Sequence, residues 1–200
     1  MLNSEFWQNR YETEQTGWDL GAASPPIVNW FGNIKAEMID FASQKILIPG
    51  CGNAWEAEHL FREGFSDVHI IDWAAAPLQA FADRVADFPK ENLHHGDFFT
   101  HQQDLNCDWI VEQTFFCAIN PELRDKYIEK TFSLLKPGGA IAGLLFNDGL
   151  NNDKPPFGGS FSEYETRFSK LFKLEKLAVA EDSVSPRAGR ELFIVARKES

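Results

Sequence analysis

The stretch from Lys45 to Phe65 limits most sharply what this chain can fold into. Lys45-Ile46-Leu47-Ile48-Pro49 reads as a short buried strand, and Gly50-Cys51-Gly52 ends it. From Ala54 to Phe65 the apolar residues Ala54, Ala57, Leu60 and Phe61 recur at helical spacing, with Gly64 as the stop. Strand, glycine turn and helix in that order open a βαβ unit. Glycine permits the tight turn and lets the backbone approach a ligand closely. The pattern is G-x-G-x-x-W. The third glycine that a dinucleotide fold uses for helix packing and pyrophosphate is missing, which argues against a nicotinamide or flavin cofactor.

The same alternation continues. Val68–Asp72 reads as a second strand, Ala75–Ala86 as a helix, Asn92–His95 as a weak third strand and Cys107–Glu112 as a fourth. Pro121 opens a helix to Leu135, Lys136-Pro137-Gly138-Gly139 reads as a turn, and Ala140–Phe146 as a fifth strand. Repeated βαβ units imply a parallel sheet with helices on both faces. The end of the chain breaks the rhythm. Ser162–Phe172 is helical, and Phe172–Ala180 and Glu191–Arg197 read as strands. Glu181–Arg190 is too short for a crossover helix, so the last two strands form an antiparallel hairpin at one edge. The expected fold class is α/β, with a seven-stranded, mostly parallel sheet and a C-terminal antiparallel hairpin. With 200 residues, the chain reads as a single domain, 1–200. Residues 1–43 carry Trp7, Tyr11, Trp18, Trp30 and Pro25-Pro26, which is not linker composition. They are expected to form a lid over a core of 44–200, against the plainer reading of tryptophans that staple a core.

Composition narrows the partners. Lys and Arg total 19 against 30 Asp and Glu, a net charge of −11. Such a chain repels phosphate backbones and anionic lipid, so nucleic acid and membrane are excluded as partners and a small molecule is expected. No apolar run is long enough to span a bilayer, and the first residues lack the pattern of a signal peptide. Cys51, Cys107 and Cys117 are few and odd in number, which fits a reducing, cytoplasmic setting. No C-x-x-C pair occurs, and the adjacent His94 and His95 point to opposite faces of a strand, so no metal site is expected. No coiled-coil heptad or dimer segment is evident, and a monomer is the default.

Asp72 closes the second strand about 20 residues after the glycine turn, where a carboxylate accepts hydrogen bonds from ribose hydroxyls. Alternatively it caps the next helix. Gly96-Asp97-Phe98-Phe99 follows the third strand. Asp97 is placed to receive an adenine amino group with Phe98 flanking the ring, or is a turn residue beside core phenylalanines. A nucleoside cofactor without pyrophosphate, S-adenosylmethionine, satisfies these features together.

Further residues fall in a recognisable order. They are Phe6-Trp7-Gln8-Asn9-Arg10-Tyr11, Thr16-Gly17-Trp18-Asp19, Ile48-Pro49-Gly50-Cys51-Gly52-Asn53, Asp72 and Gly96-Asp97-Phe98-Phe99. Phe115-Phe116-Cys117-Ala118-Ile119-Asn120-Pro121 and Leu134-Leu135-Lys136-Pro137-Gly138-Gly139 complete the set. Over almost its whole length the chain resembles the thiopurine S-methyltransferase family, nearest to its thiol, thiocyanate and halide branch. The resemblance implies a Rossmann-like class I methyltransferase. It implies that Trp7, Tyr11 and Trp18 cover S-adenosylmethionine, that Trp18 also lines the methyl-transfer pocket, and that Gly50 offers its backbone to the methionine end. Asp72 would hold ribose, Asp97 and Phe98 adenine, and Gln113 occupies a family cofactor position. Tyr11 stands where relatives commonly carry Trp. Gln113 stands where thiopurine enzymes carry Arg and the halide or thiol branch carries Tyr.

The sulfonium methyl is already activated, so catalysis is positioning and desolvation. A hard oxygen or nitrogen nucleophile often needs a general base; a thiol, partly ionised at neutral pH, does not. No residue is singled out as catalytic. Walls from Trp18, Phe115 and Phe116 would suit a small soft nucleophile, a thiol sulfur above all, with O- or N-methylation of a metabolite as the alternative. A nicotinamide-dependent oxidoreductase and a non-catalytic binding module are the other rivals. Arg187 and Arg190 either recognise a carboxylate on the acceptor or are solvated turn residues. The Gly/Asn/Pro loop 147–160 is either a substrate lid or mobile surface.

Overall fold

The computed structural model describes residues 2–101 and 105–199. Strands β1 (Lys45–Pro49), β2 (Asp67–Asp72), β3 (Leu93–His95), β4 (Cys107–Gln113), β5 (Leu135–Phe146), β6 (Lys173–Val179) and β7 (Glu191–Arg197) make one sheet in the order β3-β2-β1-β4-β5-β7-β6. The first five are parallel, and β7 runs antiparallel to both β5 and β6. The expected α/β architecture with its terminal hairpin is therefore present.

Alternation along the strands splits the core into two layers. Ile46 and Ile48 of β1, with Val68, Ile70, Trp109 and Val111, face one cluster. Helices α2 (Pro25–Glu37), α3 (Trp55–Arg62) and α4 (Ala75–Arg84) cover that face through Ile27, Phe31, Ala57, Leu60, Leu78 and Phe81. Leu47, Ile71, Ile110 and Ile141 face the other cluster, covered by α5 (Arg124–Leu134) and α6 (Phe161–Phe168) through Tyr127, Ile128, Tyr164 and Phe168.

The segment before β1 divides in two. Helix α1 (Ser4–Glu12), whose first turn is capped by the Asn3 side chain accepting from the Phe6 N–H at 2.9 Å, buries no residue fully. Helix α2 starts on prolines at its first positions, where a missing N–H costs nothing, and buries Ile27 and Phe31 against the sheet. Residues 25–37 thus serve the core, and the part before them reaches the glycine turn that follows β1.

Lys136-Pro137-Gly138-Gly139 is not a turn between helix and strand. It is the entry of β5, where Cys107 pairs with Leu135 and Trp109 already pairs with Ala140, so the motif is a bulge. Gly138 holds φ +81, and a Cβ on Gly139 would sit 2.7 Å from the Cys107 carbonyl oxygen. The glycines were legible; that they kink a strand rather than precede one was not.

Chain order reverses across β1: β2 lies on one side and β4 on the other. The carboxyl ends of these three strands deliver Pro49, Asp72 and Gln113 to one crevice, the place where open α/β sheets bind ligands.

Candidate active site

The floor of the crevice is the glycine turn. Gly50 and Gly52 hold φ +57 and +52, and Ala54, the cap of α3, holds φ +55. Left-handed backbone favours glycine, and neighbouring rings forbid anything larger. A Cβ on Gly50 would fall 2.1 Å from the Phe115 ring, and one on Gly52 would fall 2.5 Å from the Tyr11 Oη. The turn is thus roofed by Phe115 from the loop after β4 and by Tyr11 from α1.

Asp72 stands beside it, buried. Its Oδ2 accepts from the Gly52 N–H at 2.9 Å and its Oδ1 from the Ala74 N–H at 2.8 Å. Burial raises its pKa above the ordinary aspartate value, against the lowering by those backbone donors. The carboxylate thus holds the Ala74 N–H at the entry to α4 and locks the glycine turn to β2.

Over the turn lies an aromatic cover. Trp18 meets Trp7 edge-on at 5.6 Å and Tyr11 edge-on at 5.9 Å. The cleft between cover and turn is narrow, about 50 Å³, and Tyr11, Trp18, Gly50, Gly52, Gln113 and Glu56 are among its walls. Gln113 Oε1 is buried there with no hydrogen-bond partner. A buried acceptor left unpaired costs free energy, and a ligand donor removes the cost.

Two polar groups of the cleft, Asp19 and Glu56, and Glu112 behind it were not singled out as site residues in the sequence. Asp19 accepts from the Trp55 Nε1 at 2.7 Å and pairs with the Asn53 side chain, joining the cover to α3. Glu56 accepts from the Ser24 N–H at 3.0 Å, and burial raises its pKa, partly offset by the Arg187 charge. Glu112 takes N–H donors from Phe115 at 2.9 Å and Phe116 at 2.7 Å and the Tyr127 hydroxyl at 2.6 Å. It thereby shapes the loop that holds Phe115 on Gly50. Asp19 adjoins Trp18 in Thr16-Gly17-Trp18-Asp19, the one signal that was available. The Cys51 thiol, half-buried near Asp72, is held well above its usual pKa by desolvation.

Other expected residues lie elsewhere. Asp97 follows β3 next to Asp72, where the Gly96 N–H donates to the Asp72 carbonyl at 2.9 Å. Its Oδ1 accepts from the Phe99 N–H at 2.9 Å, the turn role. Phe98 does not flank an open site: its ring is buried against Phe115 and Tyr127, centroids 5.5 and 5.7 Å away. The ring exposed at that end is Trp73, directly after Asp72. Phe116 is also core, packed on Tyr127, Tyr164 and Phe168, and is not a pocket wall. Arg187 is buried, paired with Glu191 at 3.2 Å and donating to the Trp18 carbonyl. Arg190 is exposed and paired with Asp148. Neither guanidinium faces the cleft. His94 is buried and His95 exposed, as their alternation requires, and no metal-binding cluster occurs among the described residues. Among those residues no helix is long and apolar enough to cross a membrane.

With this geometry in place, comparison with known proteins decides the family. The family described as thiopurine S-methyltransferase matches residues 2–199. The chain belongs to the thiopurine S-methyltransferase family. It is 29% identical over 195 residues to the Arabidopsis thaliana protein named probable thiol methyltransferase 2, covering 94% of this chain and 83% of that one. It is 26% identical over 185 residues to thiopurine S-methyltransferase of Vibrio cholerae, covering 84% and 82%. Among solved structures, the Burkholderia thailandensis 1,6-didemethyltoxoflavin-N1-methyltransferase with bound S-adenosylhomocysteine shares the fold, with TM-score 0.78, 16% identity, and coverage of 98% and 87%.

A member of this family is an S-adenosylmethionine-dependent methyltransferase, and the cleft suits that cofactor. It offers a left-handed glycine turn at the strand ends, an unpaired buried acceptor on Gln113, and Tyr11 and Trp18 on its wall.

Proposed function

We propose that this enzyme transfers a methyl group from S-adenosylmethionine to a small soft nucleophile, a thiol sulfur first among them. The observation that carries the acceptor class is the chemistry of the cleft wall. Among the described residues that line it there is no histidine or lysine, and its carboxylates, Asp19 and Glu56, are both engaged by the chain's own donors. Its one thiol and one phenol, Cys51 and Tyr11, are both held above their ordinary pKa values by burial. No group stands ready to take a proton from a hydroxyl or amine. A thiolate or a similar anion asks for none.

In this reading Gly50 gives its backbone to the methionine end and Asp72 holds the ribose by exchanging a backbone partner for a hydroxyl. Adenine points toward Asp97, with exposed Trp73 as the aromatic face that buried Phe98 does not supply. Gln113 Oε1 takes a donor of the cofactor. S-adenosylmethionine supplies the activated methyl; the chain orients the acceptor in line with it and keeps water out. Trp18 walls the acceptor side, and Trp7 and Tyr11 complete the cover. The acceptor's attacking atom must come about 3–3.5 Å from the methyl carbon. A monomer in the cytoplasm belongs to the same reading, supported by the absence of a coiled-coil heptad from the sequence and by cysteines that are few and odd in number.

The test is a panel of labelled S-adenosylmethionine with small thiols, thiocyanate, halide, phenols and amines. Methyl thioether or methyl thiocyanate as the dominant product supports the proposal. Turnover confined to phenols or amines, or none with any soft nucleophile, overturns it.

A further inference from the structure

A guanidinium is rarely buried without a reason, and Arg187 is 6% exposed. It lies in the short turn Ser185–Arg187 of the β6–β7 connection, far in sequence from the cover. Two of its nitrogens have separate tasks. Nη1 pairs with Glu191 Oε1 at 3.2 Å, a carboxylate itself 2% exposed and further bonded by the Ser183 hydroxyl at 2.7 Å. Nη2 donates to the carbonyl oxygen of Trp18. Its carbon lies 5.5 Å from the centre of the Phe146 ring, at the end of β5.

The segment from Trp18 to Ser24, which joins the cover to α2, is held at three further points. The Asp19 side chain is held by Trp55 and Asn53, the Gly21 N–H by Asp19 Oδ1 at 2.7 Å, and the Ser24 N–H by Glu56 at 3.0 Å. A second tie runs from the same connection: Asn29 of α2 donates to Asp182 at 2.6 Å. The Trp18 ring packs on Trp7, Tyr11 and Arg10 of α1, and the Ser24 carbonyl accepts from Ile27 and Val28 of α2. Arg187 holds the Trp18 backbone from the β6–β7 connection.

We propose that Arg187 is a positioning residue that fixes Trp18 over the cleft, so that the β6–β7 connection forms the outer half of the acceptor site without touching the acceptor. The fork of the guanidinium is what the task requires. One planar group meets a buried carboxylate and a carbonyl oxygen in two directions at once. An ammonium keeps the charge that Glu191 needs but cannot span both. Residues 181–190 would then tune acceptor choice through the pose of Trp18. This consequence rests on the proposed soft-nucleophile reaction; the clamp itself does not.

The experiment compares the full-length wild type with Arg187→Lys and Arg187→Gln. Three quantities are read: backbone hydrogen exchange across residues 16–24, calorimetric affinity for S-adenosylhomocysteine, and the thermal midpoint. Where a thiol acceptor has been found, KM and kcat are added. In Arg187→Lys, exchange across residues 16–24 rises at least tenfold while the sheet strands keep wild-type protection. S-adenosylhomocysteine binds at least fivefold more weakly. For the thiol, KM rises at least fivefold and kcat changes less than twofold. Arg187→Gln shows the same pattern more strongly if it folds, and the lysine variant decides if it does not. Wild-type exchange across residues 16–24 in a folded Arg187→Lys overturns the clamp, whatever happens to the thermal midpoint. Failure of the thiol panel with raised exchange in place removes only the soft-nucleophile reading.

Discussion

Asp72 uses both carboxylate oxygens on backbone donors before any cofactor arrives, one on Gly52 and one on Ala74. Substituting alanine therefore removes more than a ribose partner. We expect Asp72→Ala to weaken S-adenosylhomocysteine binding by about 1–3 kcal/mol, the cost of leaving buried donors unpaired, and an unchanged calorimetric Kd would remove Asp72 from the site. Glu112 gives a prediction in pH. Burial raises its pKa from the ordinary 4.5 to about 7, against the lowering by the Tyr127 hydroxyl and two backbone donors. Between those values the folded chain keeps a proton that the unfolded chain has released. Stability therefore falls as pH rises through that window, by up to about 3 kcal/mol from this group, and levels off above it. Glu112→Gln should flatten this part of the curve: the difference in urea midpoint between wild type and variant should change from pH 5 to pH 7.5. A constant difference would mean that the carboxyl does not titrate there. Glu112 did not announce itself in the sequence, and Arg187 stood out there only as an acceptor ligand or a solvated turn residue, not as a partner of Trp18. The partners of Glu112 are two loop amides and the Tyr127 hydroxyl, and one partner of Arg187 lies 169 residues upstream.

Elements explain which of the expectations were legible. The glycine turn, Asp72 at the end of β2 and the succession of strands along the chain follow from local pattern, because alternation and turn chemistry are written within a few residues. The cover was legible as a cluster of aromatics, but its division was not. Trp7, Tyr11 and Trp18 gather over the turn, whereas Trp30 on α2 turns to Trp109 and Phe193, at 6.3 and 5.5 Å. Phe115 and Phe116 show the same limit: adjacent residues, one on Gly50 and one in the core, separated by a backbone turn set by Glu112. The role of α2 in the core is testable. Phe31 is 1% exposed and packs edge-on against Phe65 and Trp109, both at 5.7 Å. Phe31→Ala should cost about 3–5 kcal/mol in urea unfolding. A loss below about 1 kcal/mol would mean that α2 is peripheral.

At the scale of the molecule, cover and glycine turn wall one cleft, so occupancy by the proposed cofactor should stiffen both. With S-adenosylhomocysteine at about 100 times its Kd, linkage adds about 2.7 kcal/mol, an increase in the thermal midpoint of about 5–10 °C for a chain of this size. NAD at the same concentration should add nothing measurable, and an equal shift by NAD would return the dinucleotide reading. The strand order carries a last consequence. β7 lies between β5 and β6, although β6 precedes it in the chain. During synthesis, then, β6 leaves the ribosome with no neighbour to dock on, and β5 waits with a bare flank until β7 follows. The sheet is completed only when this later segment enters the gap between two earlier ones.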